Sequence, residues 1–437
     1  MRRAAVRLLG CALLAAPAAA LGQSAGGFTF RADEVAPSRF EFGGFVEGRG
    51  DWSAYDDDSP FRRLANPRGA PDTGWRAQPG AELRGTFREG PVRLFAAGNL
   101  NYIGDTTQAG RGAATLYEGY GLYEWAPGSA VALGKRVLRW GKGYAFSPTG
   151  FVERPRDPTD PEAAREGYWM ATAEWTRSFS EAGPLQTLGF TGVLLPVIPN
   201  VNYEYGSTRG LNAAGRLSML IADTDIDLVV AGGDTRGWRL GGSIARNLLP
   251  ELVVYGEAAW FADESRLPVD APSRPILPPA KDALSAVLGL RWQSPTDTTV
   301  ILEYYRNGLG VAAEQFANVL SILDRAADLQ AATGNEAFVA PARRLARAYQ
   351  RPQPLRDYVY LRVSQREPWN ILYTTPAITV IADPSGQSAS VTPEVVYTGF
   401  RNTELRLRAQ MNIGPRESDF GARQVNARVE LRARFFF

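Results

Sequence analysis

The stretch Arg428-Val429-Glu430-Leu431-Arg432-Ala433-Arg434-Phe435-Phe436-Phe437 decides how the chain is read. Successive side chains of an extended strand point to opposite faces. Val429, Leu431, Ala433, Phe435 and Phe437 therefore share one face, and Arg428, Glu430, Arg432 and Arg434 share the other. Working back toward the N-terminus, the same period-two alternation recurs in segments of roughly 10 to 13 residues separated by turn residues. About eighteen such strands are expected, the first over 39–52, the fifth over 130–138, the fifteenth over 369–382 and the last over 424–437.

The connections between these segments carry a second pattern. Those after even-numbered strands are tight, as in Glu89-Gly90, Pro127-Gly128-Ser129, Asp223-Thr224 and Phe400-Arg401, while the long insertions at 53–74, 139–167, 263–281 and 308–354 all follow odd-numbered ones. A soluble sandwich has no reason to gather every long loop at one end. A membrane barrel of antiparallel strands does, with short turns on one side and long loops on the other.

Residues 1–22 read as a secretory signal peptide: Arg2, Arg3 and Arg7 precede an apolar run over 8–21 that ends in small residues. A competing reading acylates Cys11 as a lipoprotein cysteine. Residues 23–38 then form a short lead-in and 39–437 the barrel. No apolar run long enough for a membrane helix follows the leader. A chain that crosses a membrane without one crosses as a closed barrel.

Composition narrows the chemistry. There is no histidine, and the one cysteine, Cys11, lies in the leader. The commonest general base, the commonest zinc ligand and all thiol chemistry are therefore missing from the rest. Lys135, Lys142 and Lys281 are the lysines, with no convincing serine partner, so neither catalysis nor a cofactor is expected. Gly141-Lys142-Gly143 lacks the spacing of a phosphate-binding loop, and Asp56-Asp57-Asp58 and Asp157/Asp160 lack that of an EF-hand. The formal net charge of +2 includes the three leader arginines and gives no ground for a nucleic-acid partner.

With its leader, its alternating connections and its Arg432-Ala433-Arg434-Phe435-Phe436-Phe437 terminus, the chain resembles porin-type outer-membrane barrels of Gram-negative bacteria. The resemblance implies an all-β, transmembrane, antiparallel up-and-down barrel with Phe437 as an assembly signal. It also implies an outer-membrane location after Sec-type export, with membrane lipids and the barrel-assembly machinery as partners, and passive passage of a small solute left unnamed. Alternative uses of such a barrel are a gated conduit for hydrophobic or polyanionic substrates, or a structural or adhesive role.

Insertion 139–167 follows the fifth strand, the place from which porins fold a loop into the lumen. By that analogy Arg139, Lys142, Arg154, Arg156 and Arg165, facing Asp157, Asp160 and Glu166, are the candidate constriction, against the plainer reading of a proline-stiffened surface loop. Strand alternation turns Arg362, Arg406, Arg408, Arg432 and Arg434 toward the lumen. They form either a positive stripe favouring anions or a ladder paired with Glu404, Glu430, Glu82, Glu41 and Glu47, and near-neutral charge favours the ladder. Trp125, Trp140, Trp169, Trp175, Trp260, Trp292 and Trp369 are expected in interfacial girdles. Phe316, Leu320, Leu323 and Ala327 recur at helical spacing, Gly334 ends that helix, and Pro341 opens a second, making a helical hairpin over 311–350.

Overall fold

A computed structural model describes residues 38–437 except 67–68, 107–109, 180–182, 207, 265–268, 272–273, 277–280, 335 and 337–338. The expected leader, and the lead-in except Ser38, lie outside the described residues.

The strands are β1 (Phe40–Tyr55), β2 (Thr73–Glu89), β3 (Val92–Asp105), β4 (Arg111–Ala126), β5 (Ser129–Arg136), β6 (Tyr168–Ser178), β7 (Leu185–Val197), β8 (Gly210–Ile221), β9 (Thr224–Gly233) and β10 (Arg239–Leu249). They continue with β11 (Leu252–Glu264), β12 (Val269–Ala271), β13 (Arg274–Ile276), β14 (Lys281–Gln293), β15 (Thr298–Arg306), β16 (Asp357–Gln365), β17 (Thr374–Asp383), β18 (Ser388–Tyr397), β19 (Thr403–Ile413) and β20 (Val425–Phe436). β12 and β13 pair as a small hairpin in the loop between β11 and β14. The other eighteen form one sheet. Each pairs antiparallel with the next, and β20 returns to β1 with Phe45 opposite Phe436. Gly44 and Phe437 exchange both backbone hydrogen bonds at 3.0 Å to finish the seam. Closure pairs every strand of the barrel wall with a neighbour on both sides.

The faces are inside out relative to a soluble protein. Leu133 is 72% exposed and Leu288 67%, whereas Glu82, Asp227, Glu257, Glu303, Thr379, Glu394 and Arg406 are buried. Exposed Phe42, Tyr123, Trp125, Trp175, Trp292, Phe400 and Phe435 lie near the tight-turn end, and Trp52, Trp75, Tyr102, Trp169 and Tyr304 near the long-loop end. An apolar outer belt between two aromatic rows is what a bilayer requires of a barrel wall. No described helix is long and apolar enough to cross a membrane, which says nothing about strands.

Among the described residues three α-helices sit in the long loops: α1 (Pro60–Ala65), α2 (Ala313–Thr333) and α3 (Val339–Tyr349). Gly334 caps α2 at φ 66°, a left-handed conformation that costs glycine little. Phe316, Leu320 and Leu323 of α2 and Leu345 and Tyr349 of α3 pack with Phe61 and Leu64 of α1 and with Val287, Ile301, Tyr358, Tyr360 and Ile381 of the wall. Arg63 of α1 bonds Asp324 of α2 at 2.7 Å, and Arg416 of the β19–β20 loop bonds the same oxygen at 2.7 Å. The helices thus form a packed cap on the β14–β17 side of the mouth.

Three local expectations need correction. The fifteenth barrel strand starts at Thr374, not near 369, because Trp369, Asn370 and Tyr373 adopt positive φ in a tight turn. The short helix α1 was not foreseen. Trp140 belongs to no girdle: it is 2% exposed inside loop 139–167, under the guanidinium of Arg216.

Candidate functional site

The loop after β5 folds into the barrel. Its N-terminal part lays Leu138, Trp140, Phe151 and Val152 on an apolar patch of the inner wall made by Met170, Val193, Leu195, Val229 and Phe261. Fixing backbone costs about 1–2 kcal/mol per residue. A few hydrogen bonds at about 1–3 kcal/mol each do not offset that for so long a segment, so this apolar contact is part of what holds it.

Two buried wall glutamates supply the polar anchorage. Glu257 of β11 accepts from the Gly143 amide at 2.5 Å, the Thr149 amide at 3.2 Å and the Thr149 hydroxyl at 2.6 Å. Glu303 of β15 accepts from the amides of Tyr144, of Ala145 at 3.0 Å and of Phe146 at 3.2 Å, and from the Tyr255 hydroxyl at 2.7 Å. Consecutive amides converging on one carboxylate satisfy donors that an irregular buried segment otherwise leaves orphaned. Lys142 adds ion pairs to Asp225 at 2.5 Å and Asp227 at 2.9 Å on β9.

The far part of the loop reaches another wall. Asp160 accepts from Arg406 at 2.9 Å and lies 3.6 Å from Arg408, both on β19. Burial raises the Asp160 pKa, but Arg406 and Arg408 outweigh it and hold the carboxyl below the usual aspartate range. Touching β9, β11, β15 and β19, the loop crosses the bore.

The candidate residues separate into three groups. Arg362, Arg406, Arg408, Arg432 and Arg434 form a paired ladder: Arg362 and Arg408 reach Glu394 at 2.6 and 2.9 Å, Arg432 reaches Glu404 at 2.8 Å, and Arg434 reaches Glu47 at 2.8 Å. Arg154 pairs with Glu204, and Arg156 with Glu153 at 3.1 Å. Asp157 is spent locally, accepting from the Thr159 amide at 2.9 Å. Arg139 and Lys142, with Arg156, line a cavity of about 700 Å³ that also presents Arg165, Arg291, Tyr255 and Glu162. Among the described residues Arg139 and Arg291 have no ion-pair partner, and Arg165 has Glu153 at 3.7 Å. Burial pushes the Arg165 guanidinium below its usual pKa.

Sequence reading missed Glu257, Glu303, Arg291 and Arg236. Each looked like one more polar residue, since a strand's alternation does not say which loop lies opposite. Among the described residues no cluster of ligating side chains suited to a metal is present.

A closed eighteen-strand ring with an apolar outer belt, a charged interior and an infolded loop fixes the architecture. The chain has the fold of an outer-membrane β-barrel. It is similar to Wzi, an outer-membrane protein involved in group 1 capsule assembly in Escherichia coli and a carbohydrate-binding β-barrel, with a TM-score of 0.51, 9% identity, and 90% of this chain and 84% of that one covered. It is similar also to OccK5 (OpdH) of Pseudomonas aeruginosa, with a TM-score of 0.50, 11% identity and coverage of 91% and 98%. A mutant porin of Rh. blastica aligns with a TM-score of 0.43, 12% identity and coverage of 91% and 100%. No protein-family model matches the chain, and no curated protein matches it by sequence.

Proposed function

We propose that this protein is a passive channel of the Gram-negative outer membrane, reached after Sec-type export and inserted by the barrel-assembly machinery, and that it favours small anions over cations. The observation that carries the reading is the cavity beside the infolded loop, where Arg139 and Arg291 have no ion-pair partner among the described residues and Arg165 reaches Glu153 only at 3.7 Å, while the ladder arginines are closely paired. Paired charges in a lumen largely cancel at the distance of a passing ion. Unpaired guanidiniums that cannot deprotonate set the local potential. Charged side chains gathered at a constriction are how pores distinguish ion sign.

The test is electrical. The refolded barrel, inserted in a planar bilayer across a potassium chloride gradient, is expected to give steady single-channel steps whose reversal potential has the sign of chloride preference. A cation-selective reversal potential refutes the anion preference, and absence of any conductance refutes the channel.

A further inference from the structure

A second cavity, of about 630 Å³, opens above the loop on the side of the long connections. The β9–β10 connection contributes Arg236, whose carbon Cζ stands 3.8 Å from the centre of the Tyr205 ring while its Nε donates to the Tyr205 carbonyl. Tyr205 in turn meets Tyr168 edge-on at 5.3 Å, so the ring under the guanidinium is itself braced. The neighbouring cations are spoken for: Arg154 by Glu204, Arg156 by Glu153 and Arg239 by Glu264. Arg236 has no carboxylate partner among the described residues. Burial, with Arg239 nearby, pushes its pKa below the ordinary arginine range. Phe146, Phe151 and Phe261 supply an apolar wall to the same cavity.

We infer that this upper cavity is a binding site for a small ring-bearing oxyanion, with the free fork of Arg236 holding the anionic head and the phenylalanine wall holding the ring. A planar guanidinium fixed by stacking presents two parallel N–H groups to a carboxylate or a phosphate at little entropic cost. The volume falls in the range of small-molecule sites. The apolar wall discriminates against a bare inorganic anion. The inference deepens the channel reading by naming the class of solute met above the loop. It is tested at equilibrium, so that it stands or falls separately from conductance.

Isothermal titration of the detergent-solubilised full chain with benzoate, phenyl phosphate, inorganic phosphate and benzyl alcohol is the experiment. Benzoate or phenyl phosphate is expected to bind with one-to-one stoichiometry, the tighter of the two identifying the head as carboxylate or phosphate. Benzyl alcohol and inorganic phosphate are expected to bind about ten-fold or more weaker, the scale of one lost charge-assisted pair. Arg236→Gln should weaken the ring-bearing anion by the same factor, Arg236→Lys should restore part of it, and Arg401→Gln in the exposed tight turn before β19 should leave it unchanged. Heat-modifiable migration on a gel verifies that each variant is folded. Equal binding of benzyl alcohol and benzoate, wild-type affinity in folded Arg236→Gln, or no binding of either ring-bearing anion overturns the inference.

Discussion

Nη2 of Arg406 donates to Oδ2 of Asp160 across 2.9 Å, joining a wall strand to a loop 246 residues earlier in the chain. Arg406 is 7% exposed and also lies 3.7 Å from Glu394 and from Glu430. The contact therefore ends a charge ladder in the loop itself. It tethers the tip of the segment that crosses the bore.

Removing that tether with Asp160→Asn should cost about 1–3 kcal/mol of loop anchorage without unfolding the barrel, because Glu394 and Glu430 still face Arg406. Faster hydrogen exchange confined to 157–163, with noisier open-channel current, is the expected outcome. Unchanged exchange there shows that the Asp160–Arg406 contact does not hold the loop tip.

The same pair sets a pH dependence. Arg406 and Arg408 hold the Asp160 pKa below its usual value against the opposing effect of burial. The stabilisation is complete above the usual aspartate pKa and is lost as pH falls below it, through the depressed value. Conductance should therefore be flat from about pH 5 to 8 and change only in stronger acid. A transition near neutral pH assigns control to another group.

Glu303 makes a sharper test of the anchorage, since it is fully buried and accepts from three consecutive loop amides. Glu303→Ala leaves those donors without partners, at about 1–3 kcal/mol for each one that stays buried. Larger and more variable conductance steps are expected, with loss of exchange protection at 144–146. Glu303→Gln, which keeps acceptor capacity, should lie between the two.

Outside, polarity should count in the opposite sense. Leu288→Arg on the exposed belt should destabilise the inserted barrel by about 2–4 kcal/mol, measured by urea unfolding in vesicles. Deleting Phe437 removes the two backbone bonds to Gly44 at the β1–β20 seam and should slow refolding into vesicles. Refolding at the wild-type rate denies the seam a part in assembly.

The barrel was legible in the sequence because two independent periodicities agree. Alternation along each strand assigns faces, as at Leu431 and Arg432, and the parity of loop lengths assigns ends. The hairpin over 311–350 was legible from Phe316, Leu320 and Leu323. The six residues of α1 are too few to show a period, and the positive φ of Trp369 and Asn370 has no glycine to announce it. The site was half legible. Parity turns Arg406 inward, but its pairing with Asp160 depends on where a distant loop lands. Glu303 and Glu394 look alike in sequence, and one holds the loop while the other pairs with arginines.

The central claim is that the cavity guanidiniums of Arg139, Arg165 and Arg291 beside the loop, and not the closely paired ladder, decide which ions pass. The most direct measurement is the reversal potential in a potassium chloride gradient for the wild type, for Arg139→Gln/Arg165→Gln/Arg291→Gln, and for Arg432→Gln/Glu404→Gln. The account predicts chloride preference in the wild type, its loss in the triple variant and its retention when the ladder pair is neutralised. Unaltered chloride preference in the triple variant, or its loss in the ladder variant, contradicts the account.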